Sequence, residues 1–319
     1  MRDIKVQDLE FQEPINFFKK LRGLDGLVYL DSAGKDKNLN QYSYIAALPA
    51  LKIHKRKKNI FIDSKIIKNS FFDTVEDLLN NLKIKKIPNL PSFQCGLAGF
   101  ISYESCLEIE NITNVENSNY DFDDIWFGLY DIVFAFDHEL KKTYLFSVNL
   151  DDYQEGTNNL SNIKKLEHLK SLYKLDDVVN KNMDNLNLEW KPYQDKKSYK
   201  DSIEKILEYI KAGDIFQANF THSFTAKNDN LTDNFDTYIN YRKKTQTPFS
   251  AFISNNHEDA VCSFSPERLL SLDEGKIIAA PIKGTTHRGL TEKTDQILIS
   301  DLINSKKNLA ENLMIVDVL

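Results

Sequence analysis

Cysteine, tryptophan and methionine are scarce in this sequence of 319 residues, which has three, two and three of them. The cysteines Cys95, Cys106 and Cys262 are odd in number and far apart, without the spacing of a disulfide framework or a zinc site. Long apolar runs are also missing, since no stretch approaches the ~20 residues needed to cross a bilayer, and no signal-peptide pattern opens the chain. These absences predict a protein of the reducing cytoplasm.

An excess of positive charge is absent as well. Lysine and arginine total 41 against 47 aspartates and glutamates, for a formal net charge of -6. Because nucleic-acid binding depends on clustered basic side chains, this balance argues against such a partner. The basic run at 54–58 lies between two short apolar segments and is interpreted as a turn between strands.

Short strand-like runs dominate the first half of the chain and predict a large, mainly antiparallel sheet. They occur at 27–30, 51–53, 60–62, 96–103 and 125–136. Helical periodicity at 14–21, 72–82 and 160–173 completes an α+β pattern. Residues 176–192 are polar and rich in Asn and Asp, which is typical of a linker. We therefore predict an N-terminal domain of residues 1–185 and a second domain of residues 195–319.

The second half begins with an apolar stripe over 198–212 that predicts a helix ended by Gly213. Residues 214–225 then alternate apolar with uncharged polar side chains, which predicts a half-buried strand whose polar face lines a site. A hairpin turn is expected at 273–275. The last apolar stripe, over 305–319, has no stop signal, and we expect a chain truncated at its C-terminus.

Four motifs follow one another between residues 214 and 317: DIFQANF at 214–220, SPER at 265–268, PIKGT at 281–285 and AENLMIVD at 310–317. Together they resemble the chorismate-binding family, which includes component I of anthranilate synthase, component I of aminodeoxychorismate synthase, and the isochorismate and salicylate synthases. Four motifs in order are far more specific than any one of them. The resemblance implies the family's α+β fold, a large antiparallel sheet sandwich with flanking helices, incomplete here at the C-terminus.

Three positions resemble the aminodeoxychorismate synthase branch. Lys283 stands where anthranilate synthases have Ala, and the segment 247–252 also resembles that branch. Gln217 replaces the Lys with which the water-using synthases activate water, and an amide cannot serve as that base. The resemblance thus implies a transferase that converts chorismate and ammonia to 4-amino-4-deoxychorismate for para-aminobenzoate and folate synthesis. Anthranilate synthase component I is the alternative.

The resemblance also implies roles for individual residues. Glu267 matches the acid that protonates the departing 4-hydroxyl group, and Lys283 matches the amine that attacks C2 of chorismate. Substrate binding falls to Gln217, Gly284 and Thr285, and Glu311 matches a Mg²⁺ ligand. Asn308 stands at the companion position, where anthranilate synthases often have Glu. A heterodimer with a glutamine amidotransferase subunit that supplies the ammonia is implied as well.

The N-terminal half resembles the part of component I proteins that forms a tryptophan pocket. The expected pocket residues are Ser32, Tyr42, Ser43, Tyr44, Ile45, Pro248, Phe249 and Ser250. Since later family elements are not in this sequence, we expect the chain to be inactive as it stands. A non-catalytic remnant that binds tryptophan or the amidotransferase is the alternative from another functional class.

Overall fold

A computed structural model describes residues 2–34, 39–110, 122–153, 160–177, 188–227, 233–255 and 259–318. They form two compact units, Met1–Val179 together with Tyr241–Leu319, and Asn180–Asn240. The domain limits expected from the sequence, 1–185 and 195–319, stay a prediction. No helix in the described ranges is long and apolar enough to span a membrane.

The strands are β1 (Arg2–Asp3), β2 (Lys5–Glu10), β3 (Val28–Asp31), β4 (Tyr42–Ala46), β5 (Leu51–Arg56), β6 (Asn59–Ile62), β7 (Lys65–Ile67), β8 (Ile84–Lys85), β9 (Gly96–Ile101), β10 (Ile125–Tyr130), β11 (Ile132–Asp137), β12 (Lys142–Ser147), β13 (Lys191–Pro192), β14 (Phe224–Thr225), β15 (Phe249–Ser254), β16 (Ala260–Ser265), β17 (Ser271–Asp273) and β18 (Lys276–Ile278). The helices are α1 (Pro14–Lys20), α2 (Phe71–Leu82), α3 (Asn162–Tyr173), α4 (Lys196–Ala212), α5 (Asn234–Thr245), α6 (Glu292–Ile303) and α7 (Lys306–Val318). Short 3₁₀ helices occur at Tyr103–Glu108 and Asp151–Tyr153.

Two antiparallel sheets organise the larger unit. Seven strands pair in the order β16-β15-β3-β4-β11-β12-β2, and five pair in the order β7-β6-β5-β10-β9. The neighbours within both sheets are antiparallel, whereas the small β1–β8 pair is parallel. The predicted large, mainly antiparallel sheet is therefore confirmed.

The core lies between the two sheets and on their outer faces. Trp126 and Tyr130 of the five-stranded sheet share a buried cluster with Val133 and Phe146 of the seven-stranded sheet. On the far side of the seven-stranded sheet, the Phe17 ring of α1 lies 4.6 Å from the ring of Phe134. Helix α2 covers the five-stranded sheet through a second buried cluster. These layers form a sheet sandwich with flanking helices, which confirms the expected fold class.

Local sequence signals account for several element ends. The Asp195 side chain accepts a hydrogen bond from the Ser198 N–H and begins α4, and Gly213 ends that helix with a φ of 82°. The predicted hairpin turn at 273–275 joins β17 to β18. The helix end at Gly213 and the hairpin turn were predicted from short windows of sequence.

Two expectations from the strand patterns are wrong. Over 214–225 only Phe224–Thr225 forms a strand, and it pairs with Lys191–Pro192. Alternation produces a strand only where a neighbour supplies hydrogen bonds, and no strand in the described part of the chain pairs with 214–223. The apolar run 125–136 is two strands in different sheets, divided at Asp131.

Candidate active site

Lys283 and Glu267 meet within the larger unit. Glu267 lies two residues past the end of β16, and the β17–β18 hairpin turns the chain back before Lys283. The Lys283 Nζ atom lies 3.8 Å from Glu267 Oε1, and the two side chains are 19% and 32% exposed. The structure therefore places a primary amine beside a carboxyl group, both partly shielded from water.

The backbone of Glu267 is fixed by Ser265. The Ser265 Oγ atom donates to the Glu267 carbonyl at 2.7 Å and accepts from the Glu267 N–H at 3.2 Å. This local loop makes a tight turn directly after β16. Glu267 consequently has a defined backbone although it follows the last residue of a strand.

The segment that carries Lys283 is held from two sides. Gly284 has a φ of 73°, and a Cβ atom built there would lie 2.7 Å from both Cγ and Nδ2 of Asn308 on α7. Farther along, the Gly289 N–H donates to Asp295 Oδ1 at 2.8 Å, and Arg288 forms an ion pair with the same carboxylate. The hydrogen bond from Arg288 lowers the pKa of Asp295 to about 2. Thus α6 and α7 both position the Lys283 segment.

The predicted substrate and metal residues are placed differently from one another. Thr285 is exposed beside Gly284, and Glu311 lies one helical turn beyond Asn308 on α7, half-buried. Gln217 belongs to the smaller unit, and its Oε1 atom is buried without a hydrogen-bond partner among the described residues. Such an atom can accept a hydrogen bond from a ligand.

The described residues include no group of three His, Cys, Asp or Glu side chains that could hold a metal ion. Glu311 by itself offers one carboxylate. Because Mg²⁺ is bound through few carboxylates and retains several waters, a single ligand is compatible with the ion but does not define its site. The magnesium site stays a prediction.

The residues expected to form a tryptophan pocket come together on adjacent strands of the seven-stranded sheet. Ser32 follows β3, Tyr42 to Ile45 lie in β4, and Phe249 and Ser250 open β15. Ser32 Oγ donates to the Tyr42 carbonyl at 2.5 Å, and the Ser32 N–H donates to Ser43 Oγ at 3.1 Å. Burial raises the pKa of Tyr44. The sequence-distant members are thus neighbours, while tryptophan binding itself stays a prediction.

Sequence reasoning missed an ion pair beside this pocket. Arg242 of α5 holds the buried carboxylate of Asp31 through two nitrogens, with Arg242 Nη2 donating to Asp31 Oδ1 at 3.0 Å. The partners are 211 residues apart, so no local pattern could connect them. The ion pair connects the end of β3 to helix α5, which precedes Pro248.

Comparison with known proteins completes the description of the site. The sequence model of the chorismate binding enzymes matches residues 27–319. The chain belongs to the chorismate binding enzyme family. Both the predicted resemblance and the fold class are confirmed by this match.

Relatives in the chorismate binding family include an aminodeoxychorismate synthase and an anthranilate synthase component. The chloroplastic aminodeoxychorismate synthase of Arabidopsis thaliana is 33% identical over 270 residues, which cover 81% of this chain and 29% of that protein. Anthranilate synthase component 1 of Methanothermobacter marburgensis is 30% identical over 319 residues, which cover 98% of this chain and 64% of that protein.

A solved structure shares the fold. Anthranilate synthase component I from Streptococcus pneumoniae matches with a TM-score of 0.71 at 22% identity, over 87% of this chain and 60% of that one. The chain therefore spans less than two thirds of the length of each of these chorismate binding proteins.

Proposed function

We propose that this chain belongs to component I of an aminodeoxychorismate synthase, which converts chorismate and ammonia to 4-amino-4-deoxychorismate and water. The observation that carries the proposal is the 3.8 Å approach of the Lys283 amine to the Glu267 carboxyl group. Membership in the chorismate binding family supports chorismate as the substrate. The presence of Lys at 283 favours the aminodeoxychorismate product.

The pair supplies a nucleophile and an acid at one place. The neutral Lys283 amine forms a bond to C2 of chorismate while the double bonds shift and the C4–O bond breaks. Glu267 gives its proton to the departing hydroxyl group, which leaves as water. Ammonia then bonds to C4, the double bonds shift back and the bond to Lys283 breaks, which releases the product.

One proton serves both residues of the pair. An ammonium at Lys283 beside a carboxylate at Glu267 holds the same number of protons as a neutral amine beside a carboxylic acid. Transfer of one proton between the two side chains therefore creates both reactive forms without a proton from bulk water.

Gln217 supports ammonia rather than water as the second nucleophile. An amide side chain cannot accept a proton from water as a lysine amine can, but its oxygen can accept a hydrogen bond from ammonia or substrate. We propose that a glutamine amidotransferase subunit supplies the ammonia and forms a heterodimer with component I.

The remaining predicted ligands extend this proposal. We propose that Gly284 and Thr285 contact a substrate carboxylate, and that Glu311 is one ligand of a Mg²⁺ ion. When bound, the ion would neutralise a carboxylate of chorismate. We also propose tryptophan as the ligand of the pocket formed by Ser32, residues 42–45 and residues 248–250.

A covalent adduct distinguishes this proposal from its alternative. Chorismate is added without ammonium to this chain and to a form extended to the full length of its relatives, and intact protein mass is recorded. We expect the extended form to gain a mass equal to chorismate less one water, mapped by peptide analysis to Lys283. Lys283→Ala should abolish the gain, whereas Lys276→Ala, an exposed control on β18, should retain it.

Anthranilate synthase component I is the alternative, favoured by the Methanothermobacter marburgensis relative at 30% identity. Anthranilate production by the extended form, with no adduct at Lys283, would establish that alternative. Tryptophan binding with no reaction of chorismate in either form would instead favour a non-catalytic chain.

A further inference from the structure

Phe249 and Arg268 form a contact across the edge of the seven-stranded sheet. The Arg268 guanidinium lies over the Phe249 ring, 5.4 Å from its centroid. Phe249 opens β15, where it is the register partner of Ser265 at the end of β16. Arg268 follows Glu267 directly in the chain. The ring at the start of one strand therefore lies against the side chain that follows the proposed acid.

Glu267 stands between two anchored neighbours. On its N-terminal side, Ser265 forms hydrogen bonds with both the N–H and the carbonyl of Glu267. On its C-terminal side, Arg268 contacts a ring whose backbone is fixed within the sheet. Since the backbone of Glu267 is restrained at both ends, the direction of its carboxyl group toward Lys283 depends on both anchors.

We infer that the Phe249–Arg268 contact positions the Glu267 carboxyl group against the Lys283 amine. This inference rests on the proposed function for its consequence in catalysis, but its geometry can be tested without activity. Arg268 is an exposed side chain. Loss of an exposed cation–π contact should lower the population of the arrangement that holds Glu267 against Lys283 about two- to fivefold. Arg268 is a positioning residue in this arrangement, because it acts through Glu267.

Zero-length crosslinking measures the arrangement directly. A water-soluble carbodiimide joins a carboxyl group to an amine only when the two are close enough to form an amide. The yield of the Glu267–Lys283 crosslinked peptide is quantified by mass spectrometry in this chain and in Arg268→Gln, Phe249→Leu and the double variant. Phe249→Tyr, which keeps an aromatic ring under the guanidinium, is the conservative counterpart, and Lys276→Gln on β18 is the exposed control.

We expect Arg268→Gln and Phe249→Leu each to lower the crosslink yield about two- to fivefold, and the double variant to match the lower single variant. Phe249→Tyr and the Lys276→Gln control should stay near the parent yield. Thermal midpoints, measured in parallel, identify any variant whose fold is lost. Unchanged crosslink yields in the two single variants would overturn the inference. A double variant whose loss of yield equals the product of the two single losses would also overturn it.

Turnover separates this inference from the proposed function. In the extended protein, the two disruptive variants should lower kcat for 4-amino-4-deoxychorismate with little change in KM for chorismate. Absence of that product in the parent protein would reject the proposed function, while the crosslink yields would still decide the positioning role of Arg268. A rise in KM alone would contradict positioning of the acid.

Discussion

The amine of Lys283 and the carboxyl group of Glu267 lie 3.8 Å apart, although the two residues follow different strands. Because Glu267 is the only proposed proton donor to the 4-hydroxyl, Glu267→Gln in the extended form should lower product formation about 10²- to 10⁴-fold. Glutamine keeps the size and removes the proton, so chorismate binding should change little. Steady-state kinetics with a matched Glu274→Gln control in the exposed β17–β18 turn measures the effect; equal kcat for both variants would remove Glu267 from the mechanism.

Substitution of Gly284 by any residue with a side chain should lower activity. Alanine at a φ of 73° costs about 1–2 kcal/mol, and its Cβ atom would meet the Asn308 side chain. We expect Gly284→Ala in the extended form to lower kcat about tenfold by displacing Lys283.

Asn308→Ala provides the internal control for this effect. In combination with Gly284→Ala it removes the steric part and should restore some activity, while the backbone penalty persists. If the double variant is slower than Gly284→Ala alone, displacement through Asn308 is the wrong explanation.

Lys165 and Asp131 form a buried ion pair, and removal of one partner should strongly destabilise the fold. Lys165 Nζ lies 2.6 Å from Asp131 Oδ2, with side chains 4% and 1% exposed, and Asn162 also donates to Asp131. Lys165→Met leaves the Asp131 charge buried and should lower the free energy of unfolding by about 3–5 kcal/mol. Urea denaturation measures this loss.

Lys164 supplies the matched control for Lys165, because it is the exposed neighbour on the same helix. Lys164→Met should change the free energy of unfolding by no more than about 0.5 kcal/mol. Similar losses for the two variants would show that the buried pair is not the source of stabilisation.

His138 should make the fold less stable in mild acid. Burial lowers the pKa of His138 below its ordinary value of 6.5, and its Nε2 atom lies 2.8 Å from Ser43 Oγ. Below pH 6.5 His138 binds a proton in the unfolded chain more readily than in the folded chain. The free energy of unfolding therefore decreases as the pH falls from 6.5 through the lowered pKa of His138 in the folded chain. His138→Gln should reduce this loss.

The measurement compares urea denaturation at pH 7.5 and pH 5.5. His168→Gln, at an exposed position on α3, serves as the control and should leave the pH dependence of the parent unchanged. An undiminished acid loss in His138→Gln would assign the effect to other groups.

Local signals made part of this fold predictable. The helix Lys196–Ala212 was predicted over 198–212 from its apolar stripe and from Gly213, and the β17–β18 hairpin was predicted from its turn residues. Each of these features depends on residues that are close together in the sequence. The fold class followed from the family resemblance together with the many short strand patterns.

Features that depend on contacts between distant parts of the chain were not predicted from the sequence. The alternation over 214–225 looks like a strand, but its pairing partner is not specified by the alternation. The division at Asp131 was hidden because both flanking strands are apolar and buried. Likewise, the Asp31–Arg242 and Phe249–Arg268 contacts join residues that are far apart in the sequence. No spacing rule predicts such pairs.

Product identity is decided most directly by mass spectrometry of the reaction of chorismate with ammonium and Mg²⁺, using this chain and the form extended to the length of its relatives. We predict 4-amino-4-deoxychorismate from the extended form and none from its Lys283→Ala variant. Anthranilate as the product, or aminodeoxychorismate formed equally well without Lys283, would contradict the proposed function.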